Sequence, residues 1–224
     1  MTEPAALQKL LTWLSPAFPV GAFAWSAGLE TAIAEHTVSD SARLQNWLEG
    51  AMGHGGLKTD AILLAEAWKA AKGEDTGANL TILQNLADLA IALTPARERC
   101  AETTVTGDSF AIAARAWPAE VTLPEPCPYP IAVGAIAQAH GIDLRDALLA
   151  YLTAAVHAQV SVAVRLVPLG QTDGLKVMAA LEPRVATLAQ HAATATLADL
   201  GAIAYATDIA QMRHETLEPR IFRS

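Results

Sequence analysis

The chain has 224 residues, of which 52% are hydrophobic and 17% charged, with a formal net charge of −8 at pH 7. A protein that binds a nucleic-acid phosphate backbone needs a cluster of basic residues. This acidic chain has none in its sequence, so nucleic acid is not an expected partner. The start of the chain lacks the apolar run of a signal peptide, and Cys100 and Cys127 have no CxxC spacing. These features favour free thiols in a reducing compartment, with a single disulfide as the alternative.

Residues that typically start or end helices recur along the first half of the chain. Leucines at helical spacing predict a helix over residues 5–14, ended by Pro16, and a second over residues 22–35. A third, capped by Ser39 or Ser41, ends at the glycines of residues 53–56 and carries one apolar stripe of Leu44, Trp47, Leu48 and Met52. Three more helices are predicted over residues 60–72, 78–93 and 95–116.

Residues 117–130 hold five of the twelve prolines and cannot be regular structure. They fit either a linker between domains or a crossover strap within one domain, and the apolar flanking helices favour the strap. Five helices are predicted beyond it, over residues 131–140, 143–167, 175–181, 183–197 and 200–213. These eleven segments have boundaries good to about 2–4 residues, and the number of helices depends on them. With no alternating strand pattern, we expect an all-α fold, a single domain over residues 1–224 with about eight to ten helices.

Residues 147–164 form an eighteen-residue run without a formal charge. A membrane span needs about 20 predominantly apolar residues, so this run is marginal in length. Thr153, His157, Gln159 and Ser161 would also need hydrogen-bond partners inside a bilayer. We therefore expect a core helix of a protein with no membrane contact, and a membrane span is the alternative.

The stretch "LSPAFPVGAFAWSAGLE", residues 14–30, is called here the bend segment. It is too apolar for a solvated loop and too interrupted by proline and glycine for one helix. It is either an exposed partner-docking surface or the core of the first helical corner. Under the first interpretation, the candidate partner-binding residues are Phe18, Phe23, Trp25 and Glu30.

The C-terminal tail, residues 208–224, places a bulky apolar pair among arginines, a mixture enriched at interfaces. We expect it to bind a partner, and the alternative is a tail folded back on its own core. The candidate residues are Arg213, Glu215, Arg220, Ile221, Phe222 and Arg223. Together, the bend segment and the tail are expected to form two separate docking surfaces.

Motifs for catalysis or cofactor binding are missing from the sequence. It has no phosphate-binding GxxxxGK[ST] loop, no GxSxG and no histidine pair at metal-ligand spacing. His214 and Glu215 are adjacent, but neighbouring helical positions face different ways. We therefore predict no catalytic residue, no cofactor, no metal site and only weak metal binding by the isolated chain.

Three blocks of the sequence resemble the urease accessory protein F family. They are "WLSPAFPVGAFAWSAGLE" at residues 13–30, the segment 129–174 that ends in "RLVPLGQTDG", and "DIAQMRHETLEPRIFRS" at residues 208–224. The likeness continues more loosely between them, as in "ARERCAETTVTGDSFA", so it spans nearly the whole chain.

The resemblance implies an all-helical, cytoplasmic homodimer that is not an enzyme. Such a protein would bridge urease accessory protein D, also called H, and the nickel-carrying GTPase, accessory protein G, for GTP-dependent nickel delivery to apo-urease. A second hypothesis is an activator or gate of that GTPase, acting through Arg213, Arg220 or Arg223 as an arginine finger. A third, an independent metallohydrolase, is disfavoured because paired metal ligands are missing.

Overall fold

A computed structural model describes residues 2–73, 75–201 and 203–224, which contain ten α-helices and no strands. Short 3-10 helices lie at Ala22–Ala24 and Leu197–Asp199. The all-α, single-domain fold and the number of helices expected from the sequence are confirmed. The helices are α1 (Pro4–Trp13), α2 (Leu29–Ala34), α3 (Ser41–His54), α4 (Gly56–Ala70), α5 (Thr76–Ala92), α6 (Arg97–Ala114), α7 (Tyr129–Ala139), α8 (Leu144–Leu166), α9 (Gln171–Thr194) and α10 (Tyr205–His214).

Helix α4 is the centre of the bundle and contacts α3, α5, α7, α8 and α9. Helix α7 packs against both α4 and α6, and α8 packs against α9. Gly134 allows α7 to approach α4 closely, because a Cβ there would lie 2.3 Å from the carbonyl oxygen of Leu64. The predicted stripe of α3, including Trp47 and Met52, is buried as expected.

The proline-rich segment between α6 and α7 is a strap within one domain, as the sequence favoured. The Oδ1 atom of Asp108 on α6 accepts a hydrogen bond from the Cys127 amide at 2.9 Å. Cys100 and Cys127 are free thiols, so the disulfide alternative is excluded. Burial raises the pKa of the Cys127 thiol to about 12, which makes it an unreactive core residue.

Two helix predictions were wrong. Residues 22–35 do not form one helix, because Ala27 and Gly28 have φ angles of 50° and 80° between a 3-10 turn and α2. Residues 171–194 form one helix although a break was predicted at Pro183. Leu181 and Val185 on either side of this proline are buried, so tertiary packing outweighs the roughly 3 kcal/mol that an interior proline costs.

Helix α8 is long and apolar enough, by length and composition alone, to cross a membrane. In the folded chain 44% of its most apolar window is buried, and it packs against α9, α4 and α2. His157, Ser161 and Arg165, spaced four residues apart, are exposed on its other face. This pattern fits a core helix with one polar face.

The neutral side chain of His140 links helix α1 to the rest of the bundle. The Nε2 atom of His140 lies 3.1 Å from the carbonyl oxygen of Trp117, and its Nδ1 lies 3.0 Å from the Lys9 ammonium nitrogen. A carbonyl can only accept and an ammonium can only donate, so His140 carries its proton on Nε2. Burial and the Lys9 charge lower the pKa of His140, against the smaller opposing effect of Trp117.

Acidification is therefore expected to weaken the folded state through His140. The pKa of His140 in the folded chain is below its value of about 6.5 in the unfolded chain. The contribution of neutral His140 to the free energy of unfolding is therefore fully present above about pH 6.5, and it is lost as the pH falls toward the folded-state pKa. Urea midpoints at pH 7.5 and pH 5 should differ less for His140→Gln than for the wild type. The control His191→Gln, at an exposed site on α9, should keep the wild-type difference. Equal differences for wild type and His140→Gln would contradict this assignment.

Candidate functional site

Three residues with positive φ angles determine the backbone path of the bend segment. Gly21, Ala27 and Gly28 have φ angles of 73°, 50° and 80°, in the left-handed region that favours glycine. Gly28 is needed for a second reason, because a Cβ there would lie 2.7 Å from the backbone nitrogen of Gln211 on α10. The segment therefore turns back on itself and lies against the last helix.

The three aromatic residues of the bend segment have different environments. Phe18 and Trp25 are 8% and 4% exposed, whereas Phe23 is 69% exposed. The Phe18 ring lies 5.6 Å from that of Phe110, and the guanidinium of Arg223 covers the Trp25 ring at 4.6 Å. The expected exposure of Phe18 and Trp25 is corrected: both belong to the core of this corner, and only Phe23 of the three projects into solvent.

The C-terminal tail folds back over the bend segment. The amide of Arg223 donates to the carbonyl oxygen of Ala24 at 2.8 Å. Phe222 is 4% exposed, with the guanidinium of Arg165 lying 5.5 Å from the centre of its ring. The expectation of two separate docking surfaces is therefore corrected: residues 14–30 and 215–224 form one continuous surface, called here the bend–tail surface.

Glu30 is the anchor of the tail. It is 5% exposed, and its Oε1 and Oε2 atoms accept hydrogen bonds from the amides of Ile221 and Phe222 at 2.7 Å and 2.9 Å. Such charge-assisted bonds are short and roughly twice as strong as neutral ones. Glu30, a predicted partner-binding residue, is thus used inside the chain and is not open to a partner in this conformation.

His214, the last residue of α10, is fully buried beneath residues 215–224 of the tail. Its Nε2 atom lies 2.9 Å from Oε2 of Glu30, and its Nδ1 lies 2.7 Å from Oε2 of Glu98 on α6. The other Glu98 oxygen accepts a hydrogen bond from Arg220 at 2.5 Å. Glu215, adjacent in sequence, faces away and accepts from the Arg97 amide at 2.9 Å.

The three arginines of the tail are all engaged within the chain. Arg213 pairs with Glu35 at 3.1 Å, Arg220 pairs with Glu98, and Arg223 stacks on Trp25. The Arg213 side chain is 61% exposed, and such a surface pair is worth only about 0.2–1 kcal/mol. In this conformation the structure therefore offers no particular support for an arginine finger.

Among the exposed apolar side chains of the described residues, two groups lie near the C-terminus. On the bend–tail surface, Ile221 is 78% exposed beside the buried Phe222, and Phe23 is 69% exposed. Helix α10 presents a second surface, because its outward face carries apolar side chains one and two turns apart. These are Tyr205, Ile209 and Met212, which are 73%, 43% and 50% exposed. Exposed apolar side chains grouped in this way are candidates for partner contacts.

A cavity of about 280 Å³ lies behind the bend segment. A buried ion pair borders it, with Arg99 at 2.6 Å from Asp60, which also accepts a hydrogen bond from the hydroxyl of Tyr151 at 3.0 Å. Burial alone would lower the pKa of Arg99, but the charges of Asp60 and Glu102 outweigh it and raise the pKa. Burial also raises the pKa of Glu102, against the opposing effect of Arg99.

Three other residues of the cavity lining each carry a buried polar atom without a hydrogen-bond partner among the described residues. The atoms are Trp13 Nε1, Thr106 Oγ1 and Gln211 Oε1. Within the described parts of the chain, no group of three or more His, Cys, Asp or Glu side chains is placed to hold a metal ion.

Comparison with known proteins gives the family. Residues 38–182 match the family model described as UreF. The urease accessory protein UreF of Agrobacterium fabrum is 46% identical over 222 residues, covering 98% of this chain and 97% of its own length. The chain belongs to the UreF family. The UreF proteins of Rhizobium etli and Bradyrhizobium diazoefficiens are 47% and 45% identical, covering 99% of this chain and 98% and 93% of their own lengths. As a UreF-family member, the chain is a urease accessory protein that acts in the maturation of urease.

Sequence reasoning missed three residues that hold the UreF-family tail in place. Arg165 covers Phe222 from α8, Glu98 joins His214 to Arg220, and His214 joins Glu98 to Glu30. His214 is 116 residues from Glu98 and 184 residues from Glu30, so no local pattern could pair them. The one sequence signal was a lone carboxylate, Glu30, at the end of an apolar segment.

Proposed function

We propose that this chain is a co-chaperone and scaffold that bridges urease accessory protein D (H) and the nickel-carrying GTPase, accessory protein G, for nickel insertion into apo-urease. The observation that carries the proposal is the bend–tail surface, where a buried framework holds Ile221 and Phe23 open to solvent. Preorganised apolar side chains of this kind bind at low entropic cost. Accessory protein D is the proposed occupant of this surface.

A bridge needs a second surface, and the outward face of α10 is the candidate. Tyr205, Ile209 and Met212 lie on that face, opposite the buried Gln211 and His214. We assign it to the GTPase once accessory protein D is bound. The sequence has no nucleotide-binding loop, so the GTP dependence belongs to the partner. We further propose a cytoplasmic homodimer, because a two-fold interface is the commonest closed symmetry.

Co-expression with accessory proteins D and G, followed by size-exclusion chromatography, tests this assignment. Ile221→Asp should weaken capture of accessory protein D by at least about 30-fold, because a charge in an apolar interface removes a hot spot. The GTPase should be lost with it. Ile209→Asp should keep accessory protein D and lose only the GTPase.

The matched control is Ile82→Asp on α5, a helix that packs against α4 and α7. Ile82 is 47% exposed, so its replacement is tolerated in the same way, and it should retain both partners. Point variants are preferable to removal of the tail, because deletion would leave Glu30 without the two amides it binds. Normal capture of accessory protein D by Ile221→Asp would contradict the proposed surface.

Activation or gating of the GTPase through a tail arginine is the competing proposal. GTP hydrolysis by purified accessory protein G, with and without this chain and accessory protein D, separates the two. An arginine finger would raise turnover by about 10³–10⁵ and would be lost on replacement of a tail arginine by alanine. A scaffold need not change the rate.

A further inference from the structure

We propose that Arg223 binds a carboxylate side chain of accessory protein D, next to the exposed side chains of Phe23 and Ile221. The proposal rests on the function proposed above and adds the chemistry of the partner, which is an aspartate or glutamate among apolar residues. The physical basis is a solvent-exposed guanidinium whose main chain and side chain are both held in place by the fold.

The last four residues of the tail alternate between exposed and buried side chains. Ile221 is 78% exposed and Arg223 is also exposed, whereas Phe222 and Ser224 are 4% and 1% exposed. A period of two is typical of an extended segment, in which alternate side chains project from the same side. Ile221 and Arg223 therefore face the solvent together.

Hydrogen bonds to the bend segment fix this part of the tail. The amide of Arg223 donates to the carbonyl oxygen of Ala24 at 2.8 Å, and the amide of Ser26 donates to the main-chain oxygen of Ser224 at 2.8 Å. Phe23, which is 69% exposed, is the neighbour of Ala24 in the chain. The main chain of Arg223 is therefore close to an exposed apolar residue on the bend segment as well as to the one on the tail.

Arg223 differs from the other two arginines of the tail in what its side chain contacts. Arg213 and Arg220 pair with carboxylates of the same chain. The guanidinium of Arg223 lies 4.6 Å from the centre of the Trp25 ring, and it is not paired with any carboxylate in the described part of the chain. A ring attracts a cation without neutralising its charge, so the hydrogen-bond donors of Arg223 stay available to a partner.

A carboxylate fits this site better than a neutral acceptor does. The N–H groups of a guanidinium form a planar fork that matches the two oxygens of a carboxylate, and such charge-assisted pairs are short and strong. Phe23 and Ile221 would exclude water from the pair once a partner covers them, as the residues around interface hot spots do. Because Trp25 already restricts the guanidinium, binding costs little further side-chain entropy.

The affinity of the full-length chain for accessory protein D, measured by titration calorimetry, tests the proposal. Arg223→Gln should weaken binding by at least about tenfold, because a charge-assisted pair is lost. Arg223→Lys should have an intermediate affinity, since lysine keeps the charge but cannot donate two parallel hydrogen bonds. The matched control is Arg184→Gln, which removes an exposed arginine from α9 and should bind as the wild type does.

A double-mutant cycle identifies the carboxylate on the partner. Each aspartate and glutamate of accessory protein D is replaced by asparagine or glutamine, and each variant is titrated with the wild type and with Arg223→Gln. One replacement should weaken binding to the wild type by about tenfold and have little further effect with Arg223→Gln, because the pair is already broken. A purely structural role of Arg223 would give additive effects at every position.

Hydrogen exchange of the Ile221 and Phe222 amides, which bind Glu30, checks that the tail of each variant keeps its place. If Arg223→Gln lowers their protection, Arg223→Lys takes its place in the cycle, because lysine keeps a cation over the Trp25 ring. The cycle therefore separates a contact with the partner from a loosened tail.

Wild-type affinity of Arg223→Gln, or additive effects at every acidic position of accessory protein D, would overturn the proposal. Loss of the GTPase alone would overturn it by assigning Arg223 to the GTPase, and loss of self-association alone would assign Arg223 to a second copy. Failure of the wild type to bind accessory protein D would refute the proposed function together with this role. Binding by the wild type that Arg223→Gln leaves unchanged would refute only the role of Arg223.

Discussion

Replacement of Gly107 by alanine is expected to lower the free energy of unfolding by about 3 kcal/mol, because overpacking here cannot be relieved by side-chain movement. A Cβ at Gly107 would lie 1.9 Å from the carbonyl oxygen of Cys127 and 2.6 Å from the backbone nitrogen of Tyr129. These atoms belong to the strap and the start of α7, so either α6 or the strap must shift. For a domain of this size the melting temperature should fall by roughly 10 °C.

Gly50→Ala is the matched control for this substitution. Gly50 lies inside α3, and a Cβ there would meet nothing within 4 Å. The change should raise the free energy of unfolding by about 0.5–1 kcal/mol, because alanine favours the helix. Urea unfolding of both variants, followed by circular dichroism, measures the two effects. Wild-type stability of Gly107→Ala would show that the strap is not seated against α6.

The regular helices were predictable because their pattern is local. The spacing of Leu44, Leu48 and Met52 alone places them on the buried face of α3, and the structure agrees. The predicted break at Pro183 was wrong because the cost of a proline is local, whereas the burial of Leu181 and Val185 that offsets it depends on packing against other helices. The resemblance to a known family added the function, which helical periodicity does not encode.

The candidate site was less predictable because exposure is decided by distant contacts. Ile221 and Phe222 are neighbours of similar hydrophobicity, yet one is 78% exposed and the other 4%. The difference arises from Glu30, which binds both amides and fixes which side chain faces inward. In the same way, Trp25 is covered by Arg223, a contact between opposite ends of the chain. Sequence marked most of these residues, but it did not show which of them a partner can reach.

Replacement of Val162 by aspartate should be the other severe substitution. Val162 is 1% exposed on the buried face of α8, and the change would place a carboxylate in the core without a partner. An uncompensated buried charge costs about 3–5 kcal/mol, a large part of the roughly 5–15 kcal/mol that stabilises a typical domain. We expect a low soluble yield and a strongly reduced urea midpoint.

Ser161→Asp places the same carboxylate one residue earlier, on the exposed face of the same helix. Arg165 already donates to the Ser161 hydroxyl at 3.1 Å, so the new carboxylate would have a partner four residues away. The free energy of unfolding of the Ser161→Asp variant should stay within about 0.5 kcal/mol of the wild-type value. The pair of variants tests the orientation of α8 directly, because a helix surrounded by lipid would reject both charges and a helix with one polar face rejects only the inner one. Wild-type stability of Val162→Asp would mean that α8 does not bury this face in the core.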